Sequence, residues 1–544
     1  MPKIATVEQM RALEAAADSS GVSYARMMEL AGAAVFETVQ ARVETLSGAR
    51  VVILSGPGNN GGDGMVAGRL LSETGAIVHL FTLRPRDSED ENLRRALRAG
   101  VEVEDCESDA RRKQFTRALR GADIFVDALF GTGVRLPING RAADLLAIVG
   151  ATLRGREGVL RVAVDCPSGF DCDSGALDEN LLPADVSVTF GAAKVGQFLF
   201  PGADALGELV LADIGWPPDL PGLGDVDLEL ASGAQVGAML PQRPRDAHKG
   251  TFGTALLAAG SVNYVGAAYL AAAGAYRVGA GMVTVGAPGG IYPILATLLP
   301  EATWLILPSD MGVIAGGGAA VLQDALPRAD ALLLGPGLGT EKPTADFLRE
   351  LLLEVGASAG GSIGFGAERG ASNEVSLPAS LPPTVIDADG LRLLAALPDW
   401  PQLLPAPAVV TPHLGEMAQL TCLSKDEIQA DRVAAARRFA TEWGHVVVLK
   451  GAFTVVAAPD GKATMQPFAT AALARAGTGD VLAGLITGLL AQGLHPYPAA
   501  VAGAFLHGLA GDLATEEVGA QASVLAGDVL AMMPRAIASA LAQA

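Results

Sequence analysis

From Arg50 onward, short apolar runs alternate with Gly-rich turns and amphipathic stretches. RVVILSG, IVHLFTL, ADIFVDALFG, LRVAVDCPSG and DVSVTFG are near-continuously apolar, the pattern of strands buried on both faces, and helical spacing separates several of them. This alternation predicts an α/β sheet with a largely parallel core. It fades in WPPDLPGLGDVD, from Trp216 to Asp227, where Pro, Gly and Asp break every periodicity and a linker is predicted. The pattern resumes with GTALLAAG, MVTVGAP, ADALLLGPGLG, TVIDADG, AVVTPHLGE and HVVVLKGAFTVVAAPDG, predicting a second α/β domain that ends in helices. One segment, Gly356 to Ser380, is Gly/Ser/Ala-rich and aperiodic and reads as a long surface loop. No short-period repeat links the halves.

A chain of 544 residues exceeds one ordinary domain, which agrees with the two blocks. Half of the residues are hydrophobic and 18% charged, enough apolar material for two cores. The net charge of −20 excludes the basic footprint of a nucleic-acid binder, so an anionic ligand must be held locally by amides or a few basic side chains. Cys106, Cys166, Cys172 and Cys422 lack zinc-like spacing; Cys166 and Cys172 flank a turn and could pair, although a reduced state is expected. The N-terminus lacks a signal-peptide layout, and Arg277 interrupts the Ala/Gly-rich stretch from Ala267, so no membrane span and a cytoplasmic location are expected.

In the first half, LSGPGNNGGDGMVAGRLL follows the leading strand and opens a helix. Its glycines let the backbone turn tightly and aim amides at an anion, although neither the common dinucleotide fingerprint nor a P-loop is present. Two other strand ends carry Asp127, in VDALFGTGVRLP, and Asp165, in VDCPSGFDCDSG. One such Asp reads as a cap; two converging on an amide-rich turn, at the carboxyl ends of parallel strands, read as a site.

NNGGDG, DALFGTG, the DCPSGFDCDSG run, KVGQFLFPG and ADIG, with the upstream RALEAAADSSGVSYARMMELAG, resemble the epimerase domain of NAD(P)H-hydrate repair enzymes over residues 1–217. The resemblance implies a Rossmann-like three-layer domain. It implies hydrate contacts from Asn59, Asn60, Gly61, Gly62, Asp63, and from Gly131, Thr132, Gly133, Val134, Arg135, Leu136 and Pro137. It also implies a potassium ion on Asn60, Asp127 and Ser168, and Asp165 as substrate contact and acid–base residue. Cys166 stands where the family has an aliphatic residue, a packing-neutral departure.

The second half again carries polar, Gly-rich turns at strand ends: Gly337 and Gly339, Asp387 and Asp389, His413 and Glu416, and Lys450 to Thr454 in a strand–turn–strand that could wrap a nucleotide. His248, ahead of the first strand, reads as a structural hydrogen-bonder. AGTGDVLAG places Asp480 in the first turn of an apolar helix, where it is either a plain cap or a base. Phosphoryl transfer needs donors where negative charge develops and a base near the attacking hydroxyl, and the amides of Ala476 to Gly479 beside Asp480 supply both.

HKGTFG, GSVNYVGAA, GAGMVTVGAP, GPGLG, DADGL, TPHLGEM, LKGAFTVVAAPDG and AGTGDVLAGLI resemble the ADP/ATP-dependent NAD(P)H-hydrate dehydratases, of ribokinase-like fold, over residues 226–542. The resemblance implies Asp480 as the base. Ala267, Gly339, His413 and Asp480 would contact the hydrate; Lys450, Gly451, Ala452, Phe453, Thr454 and Gly479 would contact the adenine nucleotide. ADP as co-substrate (or ATP), a magnesium ion and homo-oligomeric assembly are implied with them. Three positions depart from the family pattern: Thr470 and Arg475 replace an Asn and a Thr near the nucleotide, and Leu414 stands where Pro is usual.

The expected activity is therefore bifunctional. One half interconverts the R and S epimers of the hydrates NADHX and NADPHX, and the other dehydrates the S epimer, with ADP converted to AMP and phosphate. The alternative is a ribokinase-type small-molecule kinase with a non-catalytic N-terminal binding domain, which would release a stable phosphorylated product.

Overall fold

The computed structural model describes residues 2–353 and 381–544; the predicted loop Gly356–Ser380 lies outside them. The chain divides into two compact units, Pro2–Leu228 and Glu229–Ala544.

The first unit is built on seven strands: β1 (Arg50–Ser55), β2 (Ile77–Thr82), β3 (Glu102–Asp105), β4 (Ile124–Ala128), β5 (Leu160–Val164), β6 (Val186–Phe190) and β7 (Glu208–Ala212). They lie in the order 3-2-1-4-5-6-7, every neighbouring pair parallel. Successive residues of β1 serve opposite layers. Val51 and Ile53 pack with α1 (Val7–Ser19), α2 (Tyr24–Gln40) and α3 (Asn59–Glu73). Val52 and Leu54 pack with α4 (Asp109–Gly121) and α5 (Arg141–Leu153). The result is the expected three-layer, Rossmann-like arrangement. Strand order reverses between β1 and β4, where ligands collect in such sheets. A Cβ on Gly32 of α2 would stand 2.4 Å from Val66 Cβ, so glycine lets α2 press α3 against the sheet and fix the turn before it.

The second unit is built on a ten-stranded sheet: β8 (Leu228–Leu230), β9 (Thr254–Ala258), β10 (Met282–Pro288), β11 (Thr303–Leu307), β12 (Ala331–Leu334), β13 (Thr384–Ile386), β14 (Val409–Val410), β15 (Val446–Leu449), β16 (Val455–Ala457) and β17 (Ala463–Met465). Their order is 8-17-16-15-14-13-12-9-10-11. The strands from β15 through β11 in this order pair in parallel, and β16 and β17 continue the sheet antiparallel.

Helix α6 (Val265–Val278) lies against α9 (Thr478–Ala491), with α7 (Asp389–Leu394) and α8 (Leu414–Thr421) between them in sequence. A Cβ on Gly484 would stand 2.0 Å from the Ala271 carbonyl oxygen, so the small residues serve close helix packing. Val481, Leu485, Ile486 and Leu489 are fully buried, which is why α9 is apolar all round. Among the described residues, no helix is long and apolar enough to cross a membrane. The unit ends in two long helices, α10 (Pro496–Val518) and α11 (Ala526–Gln543).

Candidate active sites

The turn after β1 owes its shape to missing side chains. A Cβ on Gly56 would stand 1.8 Å from the Leu129 carbonyl oxygen, and one on Gly61 2.0 Å from the Gly56 carbonyl oxygen. Helix α3 starts at Asn59 with Gly58 as its N-cap and no side-chain cap, leaving its first amides free for a ligand. The Arg86 guanidinium braces the turn, donating to the carbonyls of Gly56 (2.8 Å) and Gly58 (3.1 Å).

Asp127, near the end of β4, accepts from the Ser168 amide (2.8 Å) on one oxygen and from the Ser168 hydroxyl (2.6 Å) on the other. Burial raises its carboxyl, and the hydrogen bonds from Ser168 and Leu129 work against that. Asp165 follows β5 in the left-handed region, at φ 67°, a conformation a non-glycine residue adopts only when held. The hold is visible: Lys194 Nζ lies 2.6 Å from Asp165 Oδ1, and the Thr189 hydroxyl donates to the same oxygen at 3.0 Å. The other oxygen, Oδ2, lies 3.1 Å from where a Gly131 Cβ would stand, and Asn60 Oδ1 lies 3.0 Å from that point. Asn60, Gly131 and Asp165 therefore converge, and Asp127 with Ser168 forms the adjoining pair. The Asn60 Nδ2 is buried without a hydrogen-bond partner, a polar atom awaiting one. Asp63, one helical turn beyond Asn60, is buried and pushed well up, by burial first and then by Asp165 and Glu14.

Cys166 and Cys172 are free thiols in contact, 3.4 Å apart, so the possible pairing is not made. With Asp165 they bring three metal-type ligand atoms within 4.8 Å, yet the Lys194 ammonium already occupies that carboxylate and opposes a cation.

The second site forms at the carboxyl ends of β12 to β15. Asp387, just past β13 and almost fully buried, accepts from Lys450 Nζ (2.7 Å) and from the Thr411 hydroxyl (2.7 Å). Burial pushes the Lys450 ammonium down, but Asp387, Glu416 and Asp480 together carry it above its ordinary value. Asp389 opens α7 and accepts from the Gly339 amide at 3.0 Å, fixing the turn after β12. That turn has φ 63° at Gly337 and 82° at Gly339, and Gly337 abuts Ala267 of α6 so closely that a Cβ would stand 2.8 Å from Ala267 Cβ.

His413 caps α8 through its ring: Nδ1 accepts from the amides of Gly415 (2.9 Å) and Glu416 (3.1 Å). The proton therefore sits on Nε2, and burial, with Lys450 and Arg392, lowers the imidazole below its usual value. Gly477, at φ 92°, turns the chain into α9, and Asp480 sits in its first turn. Burial, with Asp387, Asp389 and Glu416 adding and Lys450 opposing, lifts Asp480 to about 7. A carboxylate this buried among three others has a surrounding that capping alone does not require.

Beside this cluster lies a cavity of about 620 Å³, lined among others by His413, Lys450, Gly451, Ala452, Thr454, Thr470, Arg475 and Gly479. Of the residues expected around the nucleotide, Phe453 alone is absent from the lining. Ala267, Gly339 and Asp480, expected on the hydrate, also lie outside it. Thr470 and Arg475, which depart from the family pattern, both face it. The Arg475 guanidinium donates to the Ala522 carbonyl, which holds it at the cavity edge.

Three residues of the first site escape a reading of the sequence: Lys194, Thr189 and Glu14. Lys194 stands in the apolar run TFGAAKVGQF, where a buried charge requires a partner, and that was the available signal. A larger cleft, of about 910 Å³, opens at the opposite ends of β4, β5 and β6. Its Arg161 pairs with Asp185, its Arg156 donates to the carbonyls of Leu119 and Ala122, and its Arg42 pairs with Glu208, so among the described residues each cation there already has a partner.

Residues 24–196 match the family described as YjeF-related protein N-terminus, and residues 255–357 and 363–535 match the family NAD(P)H-hydrate dehydratase. The chain is 37% identical over 516 residues to the bifunctional NAD(P)H-hydrate repair enzyme Nnr of Moorella thermoacetica, an alignment covering 93% of this chain and 91% of that one. To the enzyme of the same name from Thermofilum pendens it is 35% identical over 541 residues, covering 98% and 96%. Among solved structures, the ADP/ATP-dependent NAD(P)H-hydrate dehydratase from Bacillus subtilis, co-crystallized with ATP/Mg2+, is 31% identical. It covers 57% of this chain and 97% of its own, with a TM-score of 0.45.

Proposed function

The chain belongs to the family of bifunctional NAD(P)H-hydrate repair enzymes, and from that premise we propose that Asp165 and Asp480 are the bases of its two reactions. The enzyme epimerises NAD(P)H hydrate and dehydrates it, restoring the coenzyme. The observation that carries the assignment is a buried carboxylate beside a glycine-rich turn in each unit: Asp165 after β5, held by Lys194, and Asp480 in the first turn of α9, near Lys450 and three other carboxylates.

In the first unit, the hydrated ring carbon bears a hydroxyl next to the ring nitrogen. Removing the hydroxyl proton to Asp165 turns that C–O bond into a carbonyl as the C–N bond opens, and the nitrogen takes up a proton. Rotation and reclosure on the other face, with the protons returned, give the opposite epimer. The free amides of α3 and the turn at Gly131 to Pro137 hold the dinucleotide. Asn60, Asp127 and Ser168 offer one carboxylate and neutral oxygens, a donor set that fits a large monovalent cation such as potassium better than a divalent one. Held by these residues, such an ion would tie the α3 turn to the Asp165 loop.

In the second unit, Asp480 takes the proton of the hydrate hydroxyl as that oxygen accepts a phosphoryl group from ADP or ATP. The amides around Gly479 face the developing charge, and Lys450 lies beside them. Phosphate, a far better leaving group than hydroxide, then departs with the C–O electrons as the ring nitrogen pushes in, and release of a proton from the adjacent ring carbon, to the departing phosphate or water, forms the ring double bond. Among the described residues Asp387, Asp389 and Glu416 do not gather into a metal cluster and Lys450 already pairs with Asp387, so a magnesium ion that neutralises phosphate charge would enter on the nucleotide.

The alternative of a small-molecule kinase with a non-catalytic first unit is not favoured, since both rims are intact. Stoichiometry separates the two readings. With S hydrate and ADP, this account requires one NADH, one AMP and one inorganic phosphate per turnover; a stable phosphorylated hydrate would contradict it.

A further inference from the structure

Asp165 has two oxygens in unlike surroundings. Oδ1 receives Lys194 Nζ at 2.6 Å and the Thr189 hydroxyl at 3.0 Å. Lys194 itself is only 1% exposed, and its remaining donors go to Thr189 Oγ1 (2.7 Å) and the Phe190 carbonyl (3.3 Å), so the ammonium is saturated. Its backbone is fixed as well. Ala193–Lys194 pairs with Ile4–Ala5, and the Lys194 amide donates to Gln197 Oε1 (2.8 Å), while Gln197 Nε2 donates to the Asp165 carbonyl (3.1 Å). Oδ2 is left over, and it is the oxygen turned toward Gly131 and Asn60.

We propose that Lys194 is the positioning residue of the epimerase: by taking Oδ1 it fixes the orientation of the Asp165 side chain and leaves Oδ2 as the oxygen that meets the hydrate. The inference rests on Asp165 as the base and adds the group that orients it. A saturated, buried lysine has no capacity of its own to bind substrate, and its cost of burial is met by one carboxylate. The other charged groups around Asp165 are acidic: Glu14 from α1 and Asp63 from α3, each raised by burial first and interacting with both Asp165 and Lys194. Lys194 is thus the cation that Asp165 meets directly in this acidic surrounding, and that contact sets which of its oxygens faces Gly131 and Asn60.

The test is Lys194→Met in the full-length chain, assayed with R hydrate beside wild type and Asp165→Asn. The expected result is a fall in epimerisation kcat of about tenfold or more with little change in KM. A folded Lys194→Met with kcat within about twofold of wild type overturns the proposal, and so does a loss that lies wholly in KM. If Lys194→Met does not fold, the pair Thr189→Val and Thr189→Ser takes its place. Loss of rate in the first and retention in the second support the arrangement, and equal rates overturn it. Asp165→Asn keeps the two failures apart: if it still epimerises, the base assignment falls, whereas its loss alongside an unaffected Lys194→Met removes only the role of Lys194.

Discussion

Lys450 Nζ lies 2.7 Å from Asp387 Oδ1, and this ion pair joins the nucleotide cavity to the carboxylates of the dehydratase rim. Asp387 is 1% exposed, and that ammonium and the Thr411 hydroxyl are the side chains that meet its carboxylate.

Lys450→Met should therefore both loosen the second unit and weaken nucleotide use. Removing one member of a buried pair costs about 3–5 kcal/mol, because the other charge is left uncompensated. Thermal unfolding and the KM for ADP measure the two effects. An unfolding transition and KM both equal to wild type would mean that the pair is incidental.

Dehydration of S hydrate should gain rate as pH rises through about 7, where Asp480 loses its proton. The neighbouring histidines do not produce this limb: burial lowers His507 to about 4, and His413 also lies below its usual value. A rate flat from pH 6 to 8, with chemistry rate-limiting, would remove Asp480 as the base.

The same group makes stability depend on pH. Its folded value of about 7 stands above the ordinary 3.8, so between these values the folded chain binds more protons than the unfolded one. The stabilisation from this proton is complete below about pH 4 and is lost as pH rises through about 7. Asp480→Asn, which carries no charge, should make the second unit more stable at pH 8 by on the order of 2–4 kcal/mol, while epimerisation is unchanged. Denaturant unfolding at pH 8 decides it; a less stable variant would show that the carboxylate is instead supported by its surroundings.

Potassium should affect epimerisation and leave the dehydratase half alone. Asp127→Ala should raise the KM for R hydrate by about tenfold or more and abolish the response to potassium, through loss of the tie between the α3 turn and the Ser168 loop. Titration of potassium against sodium, with each epimer supplied separately, measures this. A potassium response retained in Asp127→Ala would leave Asp127 as a strand-end partner of Ser168 alone.

Most of the strands, the two-unit division and the Gly-rich turns were readable from the chain, because apolar runs and glycines report local conformation directly. Asp165 and Asp480 were readable as strand-end and helix-start carboxylates. Their partners were not. Lys194 meets Asp165 across 29 residues, and only the parallel register of β5 with β6, Val162 beside Val186 and Val164 beside Val188, brings the two segments side by side. Glu14 reaches the same cluster from α1, which no local pattern ties to the sheet. In the second unit, Asp387, Glu416 and Lys450 were visible singly as strand-end residues, but their effect on Asp480 is a property of their assembly. The packing of Gly484 against the Ala271 carbonyl likewise depends on a helix two hundred residues earlier, so the sequence shows small residues without their reason.

The division of labour between the two carboxylates is tested most directly by the recovery of NADH absorbance from pure R and pure S hydrate, with ADP, in wild type, Asp165→Asn and Asp480→Asn. Wild type should restore NADH from both epimers. Asp165→Asn should restore it from S hydrate at the wild-type rate and fail on R hydrate. Asp480→Asn should fail on both by about a hundredfold or more while still interconverting the epimers, seen by chromatography. Equal loss on R and S hydrate in a folded Asp165→Asn, or near-normal turnover of S hydrate by Asp480→Asn, would contradict the account.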